Sequence, residues 1–316
     1  MRLSFGGASK PVFILGVGAQ KAGTSFLYDA LAASPHLRLS QPKEMHVFDS
    51  VLAPKHSGEH HARIRRRAAE LLEEVPPGAA PQRTAAVAHK LRHVRMLYDL
   101  GEYVAYFREL SSDCRGTGDI TPAYSLLGET QFVRIRELLQ QEFDLRVVFI
   151  MRDPLDRIYS AMRMHDRNTG GASGTAADRF IEEHSREPHR LRSSYEEIVP
   201  RLERVFGAEQ VFLEFYERLF RPEVFTTLQR FLGVRIPLPD MERRVNASPK
   251  CSDIPRTQRG RRGVTTYGPM TTAASASPRR ILGGCGRTWI CRYPECPLRG
   301  GQARERSSPS RVRLGL

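Results

Sequence analysis

The chain has 316 residues, 40% of them hydrophobic, and a formal net charge of +14. That is enough for one sizeable core plus a subdomain or tail. No window approaches the roughly 18 continuous apolar residues of a membrane span, and Pro11 to Gly18 is too short and glycine-rich for a signal-peptide core, so the expected compartment is the cytoplasm.

In chain order, Val12 to Val17 (VFILGV) is an apolar run between Pro11 and Gly18, the pattern of a strand buried on both faces. Thr24 to Ala33 then sets Phe26, Leu27, Ala30 and Leu31 on one helical face, with hydroxyls placed to cap its start. His60 to Glu74 reads as a charged helix stopped by Pro76 and Pro77, and Tyr98 to Leu110 as an aromatic-rich one. Arg115 to Asp119 is a short strand entering the turn Thr121-Pro122, and Gln131 to Glu142 is amphipathic. Leu145 to Met151 is the second buried strand; Asp153 caps the helix that begins at Pro154. Tyr195 to Phe206 is helical, Gln210 to Phe215 is a strand, and Val224 to Leu232 is a helix ending at Gly233. Strands alternating with helices predict an α/β chain of P-loop-like, three-layer form: a central parallel sheet flanked by helices, with the ligand at the carboxyl ends of the strands.

Composition breaks near residue 250. Residues 251–316 hold 13 Arg, no Lys, three acids and no Phe, so most of the net charge lies there and the body is only mildly basic. The expected division is a domain over 1–250 and a basic, low-order tail over 251–316, as a reading-frame change would produce. Four of the five cysteines also fall late, and Cys285, Cys291 and Cys296 lack the paired C-x2-C spacing of a zinc ribbon. Any affinity for nucleic acid is expected to come from this tail and to be nonspecific.

Two stretches carry chemistry. In Gly18-Ala-Gln-Lys-Ala-Gly-Thr-Ser25 two glycines stand five positions apart between strand and helix, where backbone N–H groups and the helix dipole favour an anion. Lys21 adds charge, and Thr24 and Ser25 add hydroxyl donors. A triphosphate loop would place its lysine after the second glycine; here Thr24 stands there. In Met151-Arg-Asp-Pro-Leu-Asp-Arg-Ile-Tyr-Ser160, Arg152 leaves the buried strand and Ser160 lies two turns into the next helix, on the face returning to the strand end. Together they suit a second phosphate.

These two stretches resemble the phosphosulfate loop and 3′-phosphate site of sulfotransferases that use 3′-phosphoadenosine 5′-phosphosulfate (PAPS). The heparan-sulfate and bacterial carbohydrate-type branch is the most similar, through Pro42-Lys-Glu-Met-His-Val-Phe-Asp49 and Gly118-Asp-Ile-Thr-Pro-Ala-Tyr124. The resemblance covers roughly residues 11 to 250 and implies sulfuryl transfer to a hydroxyl of a carbohydrate, lipid-linked or small-molecule acceptor, with no metal required. It implies that Lys21, Ala22, Gly23, Thr24 and Ser25 hold the 5′-phosphate side and Arg152 and Ser160 the 3′-phosphate, with Lys21 stabilising the leaving nucleotide. Glu44 or His46 is the implied base, and Lys43, Asp119 and Tyr124 are implied on the acceptor side. Two departures stand out: Ile120 occupies the place of a lysine found in some members, and the family's basic closing loop and final helix have no counterpart after Asn246-Ala-Ser248.

Other expectations accompany the resemblance. The segment from Val51 to Leu110 is expected to form much of the acceptor wall. His56, His60 and His61 have a spacing that suggests a metal, but on a charged helix start they read as solvated. The competing readings of the chain are a P-loop kinase or nucleotide triphosphatase, and an inactive truncated relative that binds nucleotide.

Overall fold

The computed structural model describes residues 10–76, 80–169, 180 and 186–241. Expectations for residues 251–316, including the basic tail and its cysteines, lie outside the described residues.

The described strands form one parallel sheet of five in the order β2-β3-β1-β4-β5: β1 Val12–Gly18, β2 Leu37–Leu39, β3 Gly116–Ile120, β4 Asp144–Met151 and β5 Val211–Phe215. Strand β1 lies at the centre, pairing Leu15 with Asp119 of β3 on one side and with Val147 of β4 on the other. Its burial follows from its sequence, since Phe13, Ile14, Leu15 and Val17 expose nothing. Gly16 is required by close packing: a Cβ there would lie 2.6 Å from Ile120 Cδ1. The chain leaves β1 toward β2 and leaves β4 toward β5, so the connections diverge between β1 and β4. That is the switch point at which an open α/β sheet leaves a crevice.

Helices cover the sheet. After β1 comes α1, Thr24–Ala32; between β2 and β3 come α2 Val47–Leu52, α3 Pro54–Glu74, α4 Pro81–Met96 and α5 Leu100–Leu110. A 3₁₀ turn, Pro122–Leu126, follows β3, then α6 Glu129–Leu139; α7 Pro154–Thr169 follows β4. The short α8 Glu187–Leu191 and α9 Tyr195–Phe206 precede β5, and α10 Pro222–Leu232 follows it. Helix α9 buries Tyr195, Ile198, Val199, Leu202, Val205 and Phe206, an i, i+3, i+4, i+7 stripe with hydrophobic flanks. Helix α10 stops at Gly233, whose φ of 64° is the left-handed cap expected of a glycine there.

The structure departs from the sequence expectation at several elements. Helix α3 starts at Pro54 rather than His60, with proline at its first turn, where the missing N–H costs nothing. Strand β2 has three residues, too few to show a period. Helix α4 was not foreseen: its buried positions Val87, His93 and Met96 form no continuous apolar stripe.

Candidate functional site

The crevice between β1 and β4 opens into a cavity of about 190 Å³, lined among others by Lys21, Gly23, Thr24, Ser25, Arg152 and Ser160. The β1 to α1 loop is tied to β4 by a hydrogen bond from Ala19 N to Ile150 O, 2.7 Å. Gly23 has φ 84°, and a Cβ on it would lie 2.7 Å from Leu219 Cδ2 and 3.0 Å from Tyr216 Cδ2, so only glycine lets this turn close. Gly23 is also the N-cap of α1, with no side-chain cap. The expected capping by hydroxyls is therefore corrected: Thr24 is buried, and Ser25 Oγ accepts a hydrogen bond from Lys43 Nζ at 2.9 Å. The first N–H groups of α1 are left to an incoming acceptor.

Lys21 and Arg152 form no ion pair with a carboxylate among the described residues. Lys21, itself at φ 69°, has Nζ 3.7 Å from the Met164 sulfur, a weak acceptor. Burial, with the Arg167 and Arg152 charges, pushes its ammonium below the ordinary lysine range. Arg152 is buried; it donates to Lys21 O at 3.0 Å and stacks 4.4 Å above the Tyr216 ring. Its Nε is buried with no hydrogen-bond partner among the described residues. Tyr195 fixes the Arg152 backbone, with OH donating to Arg152 O at 2.9 Å. Ser160 is buried on the α7 face that lines the cavity. Asp153 caps α7 as expected, Oδ1 accepting from Leu155 N at 2.9 Å and Asp156 N at 3.1 Å. A glycine cradle, a lysine and an arginine with an unsatisfied buried nitrogen fit a ligand carrying phosphate groups.

On the facing wall stands the Lys43 to His46 segment. Lys43 Nζ lies 3.1 Å from Glu44 Oε1, His46 Nε2 3.4 Å from Glu44 Oε2, and His46 Nδ1 2.9 Å from Asp49 Oδ2. Burial alone would raise the Glu44 pKa; the His46 hydrogen bond and the Lys43 charge reverse this and hold it at about 2. Burial likewise disfavours charge on His46, but its bonds to Asp49 and Glu44 lift it to about 9. The segment is held by Met45, between the two. Met45 N donates to Thr121 Oγ1 at 2.9 Å, and Met45 O lies 2.7 Å from His93 Nε2. Burial drops the His93 pKa to about 4, so the ring is neutral and Nε2 donates to that carbonyl.

Asp119 and Tyr124, expected on the acceptor side, expose nothing and line neither this cavity nor the second one that Glu44 borders. Asp119 Oδ2 accepts from Tyr124 OH at 2.7 Å and Tyr103 OH at 2.9 Å, while Oδ1 accepts from Thr121 Oγ1 at 2.6 Å. Their link to the site runs through Thr121 and Met45. Sequence reasoning missed Tyr216, Thr121, His93 and Asp49. Nothing in the spacing signals that residues from the turn after β3, from α4 and from the turn after β5 converge on 43–46 and 152.

His46, Asp49 and His60 each bring one possible metal-ligand atom within 4.8 Å of the others, and Asp49 Oδ1 is buried without a hydrogen-bond partner among the described residues. A cation here would have to displace the proton that Asp49 and Glu44 favour on His46 and the hydrogen bond that Arg63 donates to His60 Nδ1 at 2.8 Å; the two imidazole rings stack at 3.7 Å. His61 packs against Tyr98, and the His56 side chain lies outside the described residues.

Sheet order and site together define an α/β protein with an anion cradle at the switch point and a clamped carboxylate facing it. The chain belongs to the sulfotransferase family, whose model matches residues 11–237. No curated protein matches. Among solved structures, a sulfotransferase from Alicyclobacillus acidocaldarius aligns at 22% identity and TM-score 0.46, over 75% of this chain and 87% of its own. The sulfotransferase domain from the curacin biosynthetic pathway aligns at 16% identity and TM-score 0.44, over 77% and 81%. A Mycobacterium avium sulfotransferase aligns at 15% identity and TM-score 0.37, over 74% and 65%.

Proposed function

We propose that the chain transfers a sulfuryl group from PAPS to a hydroxyl of a carbohydrate, lipid-linked or small-molecule acceptor, by in-line displacement and with no metal required. The observation that carries this reading is the cavity itself: Lys21, Arg152 with its unsatisfied Nε, Ser160 and the open start of α1 face one space. Such transfer needs little covalent chemistry from the protein and relies on positioning and charge stabilisation. In this reading Ala22, Gly23, Thr24 and Ser25 cradle the 5′-phosphate, Arg152 and Ser160 hold the 3′-phosphate, and Lys21 neutralises charge on the leaving nucleotide.

Glu44 is the proposed base, with His46 orienting it. A carboxylate held at about 2 is a weak base, and both of its partners are cations. The clamp is conditional, however, because Lys43 also reaches Ser25 in the cradle. An anion there competes for Lys43 and returns Glu44 toward ordinary basicity. His46, protonated up to about 9, has no free position for a proton at neutral pH. Asp119 and Tyr124 act in this reading as positioning residues, behind Thr121.

The test is binding of adenosine 3′,5′-bisphosphate by calorimetry, followed by transfer from radiolabelled PAPS to a pool of candidate acceptors. Lys21→Ala should lower turnover by about 100-fold or more, the scale of a lost transition-state charge contact. Unchanged turnover would remove Lys21 from its role, and Mg²⁺-dependent ATP hydrolysis would favour a nucleotide triphosphatase instead.

A further inference from the structure

Glu44 borders two cavities. One is the donor-side cavity above; the other, of about 390 Å³, lies between α3, α4 and the Lys43 to His46 segment, and its lining includes Arg63, Arg66, Arg67 and Lys90. We propose that this second cavity is the acceptor site and that it selects hydroxyl compounds carrying an oxyanion group, a carboxylate or a phosphate, beside the reacting hydroxyl. The proposal rests on the sulfuryl-transfer reading, since it takes Glu44 as the point where the two substrates meet.

The charge pattern is built by the helices. Arg63, Arg66, Arg67 and Glu70 fall at i, i+3, i+4 and i+7 of α3, one face of the helix, with Ile64 also lining the cavity. From α4, Lys90 and His93 stand one turn apart on the opposite wall. Acids offset these cations only in part among the described residues. Glu70 is shared by Arg67, at 3.1 Å, and Arg66, at 4.0 Å, and Glu74 lies 3.8 Å from Arg67. Arg63 donates to His60, which burial and the His46 charge hold neutral with a pKa of about 4. Lys90 is half-buried and has no carboxylate partner among the described residues; burial and the Arg67 charge lower its pKa. Lys90 lines the same cavity as the exposed Arg63, Arg66 and Arg67, and that cavity reaches Glu44, so an oxyanion there would relieve the Arg67–Lys90 repulsion and place a neighbouring hydroxyl toward Glu44.

The test uses matched ligands on the full chain saturated with adenosine 3′,5′-bisphosphate, so that the donor-side cations are occupied. p-Nitrophenyl β-D-glucuronide is compared with p-nitrophenyl β-D-glucoside, and glucose 6-phosphate with glucose, by calorimetric titration. In at least one pair the charged member should bind about tenfold or more tightly, the scale of one charge-assisted hydrogen bond. Lys90→Met should remove most of that preference while leaving bisphosphate affinity unchanged. Lys90→Arg should restore it. Equal binding within both pairs, or a preference indifferent to Lys90→Met, would overturn the acceptor-site inference. Failure of the bisphosphate to bind would count against the donor reading instead. The titrations of free protein and Lys90→Met would then still decide whether the cavity takes oxyanions.

Discussion

At the scale of single residues, chemistry was legible where a side chain leaves a buried strand and illegible where it meets a partner from elsewhere. Arg152 follows the apolar run of β4, so its place at the strand end could be read directly. Its stacking on Tyr216 could not, because the two meet only through β4 and β5 pairing Met151 with Phe215. Arg152→Lys keeps the charge but loses the planar fork and the stacking; bisphosphate affinity should fall about tenfold or more, measured by calorimetry. Asp119 shows the opposite case. The resemblance implied a place on the acceptor side, and in the structure three hydroxyls surround it in the core. Burial raises its carboxyl from 3.8 to about 6, although Thr121, Tyr124 and Tyr103 favour the charged form. An acid whose folded-state pKa is raised favours folding most below its unfolded value, and that contribution is lost as pH rises through 6. The shift corresponds to about 3 kcal/mol. In urea denaturation, the stability of wild type relative to Asp119→Asn should therefore fall by about that amount between roughly pH 3.5 and pH 7. A difference independent of pH would show that the Asp119 carboxyl is not shifted.

At the scale of elements, β1, α1, β4, α7, α9 and α10 were legible because each joins a continuous or periodic apolar pattern to a cap or breaker: Asp153 before α7, Gly233 after α10. Strand β2 and helix α4 were not, and in the proposed reading α4 matters because it carries His93 and Lys90. The Lys43 to His46 segment depends on such elements for its position. It has no regular structure until α2 begins at Val47, and its backbone is held at Met45 by a hydroxyl following β3 and an imidazole from α4. Thr121→Val removes that hydroxyl at nearly constant shape. It leaves Met45 N without its acceptor and Asp119 Oδ1 without its donor, which should cost about 1–3 kcal/mol in denaturant unfolding. Turnover should drop while bisphosphate affinity holds, because the cradle belongs to β1 and α1 rather than to this segment. Equal losses in both would mean that Thr121 supports the whole crevice and not the base alone.

At the scale of the whole molecule, the sheet order explains why two distant motifs come to line one cavity. Residues 18–25 and 151–160 are far apart in sequence but follow adjacent strands that diverge at the switch point. The same scale sets the question of residues 251–316. The family match ends at residue 237, and among the described residues the hydrophobic core reaches Ile236, with Met241 packed against it. We propose, from the break in composition near residue 250 and the extent of the family match, that the cooperatively folding unit lies within residues 1–250. A chain comprising residues 1–250 should therefore unfold within about 2–4 °C of the full chain, a change on the order of 1 kcal/mol or less. It should also bind adenosine 3′,5′-bisphosphate with unchanged affinity. What it should lose is charge: the 13 arginines beyond residue 250 leave with the tail, so nonspecific binding to duplex DNA should weaken and its dependence on salt should flatten. Loss of nucleotide binding with folding intact would instead assign residues 251–316 to the donor site, where the Arg259 to Arg262 cluster would supply the closing charge. Loss of cooperative unfolding would place part of the core there, against the division at residue 250.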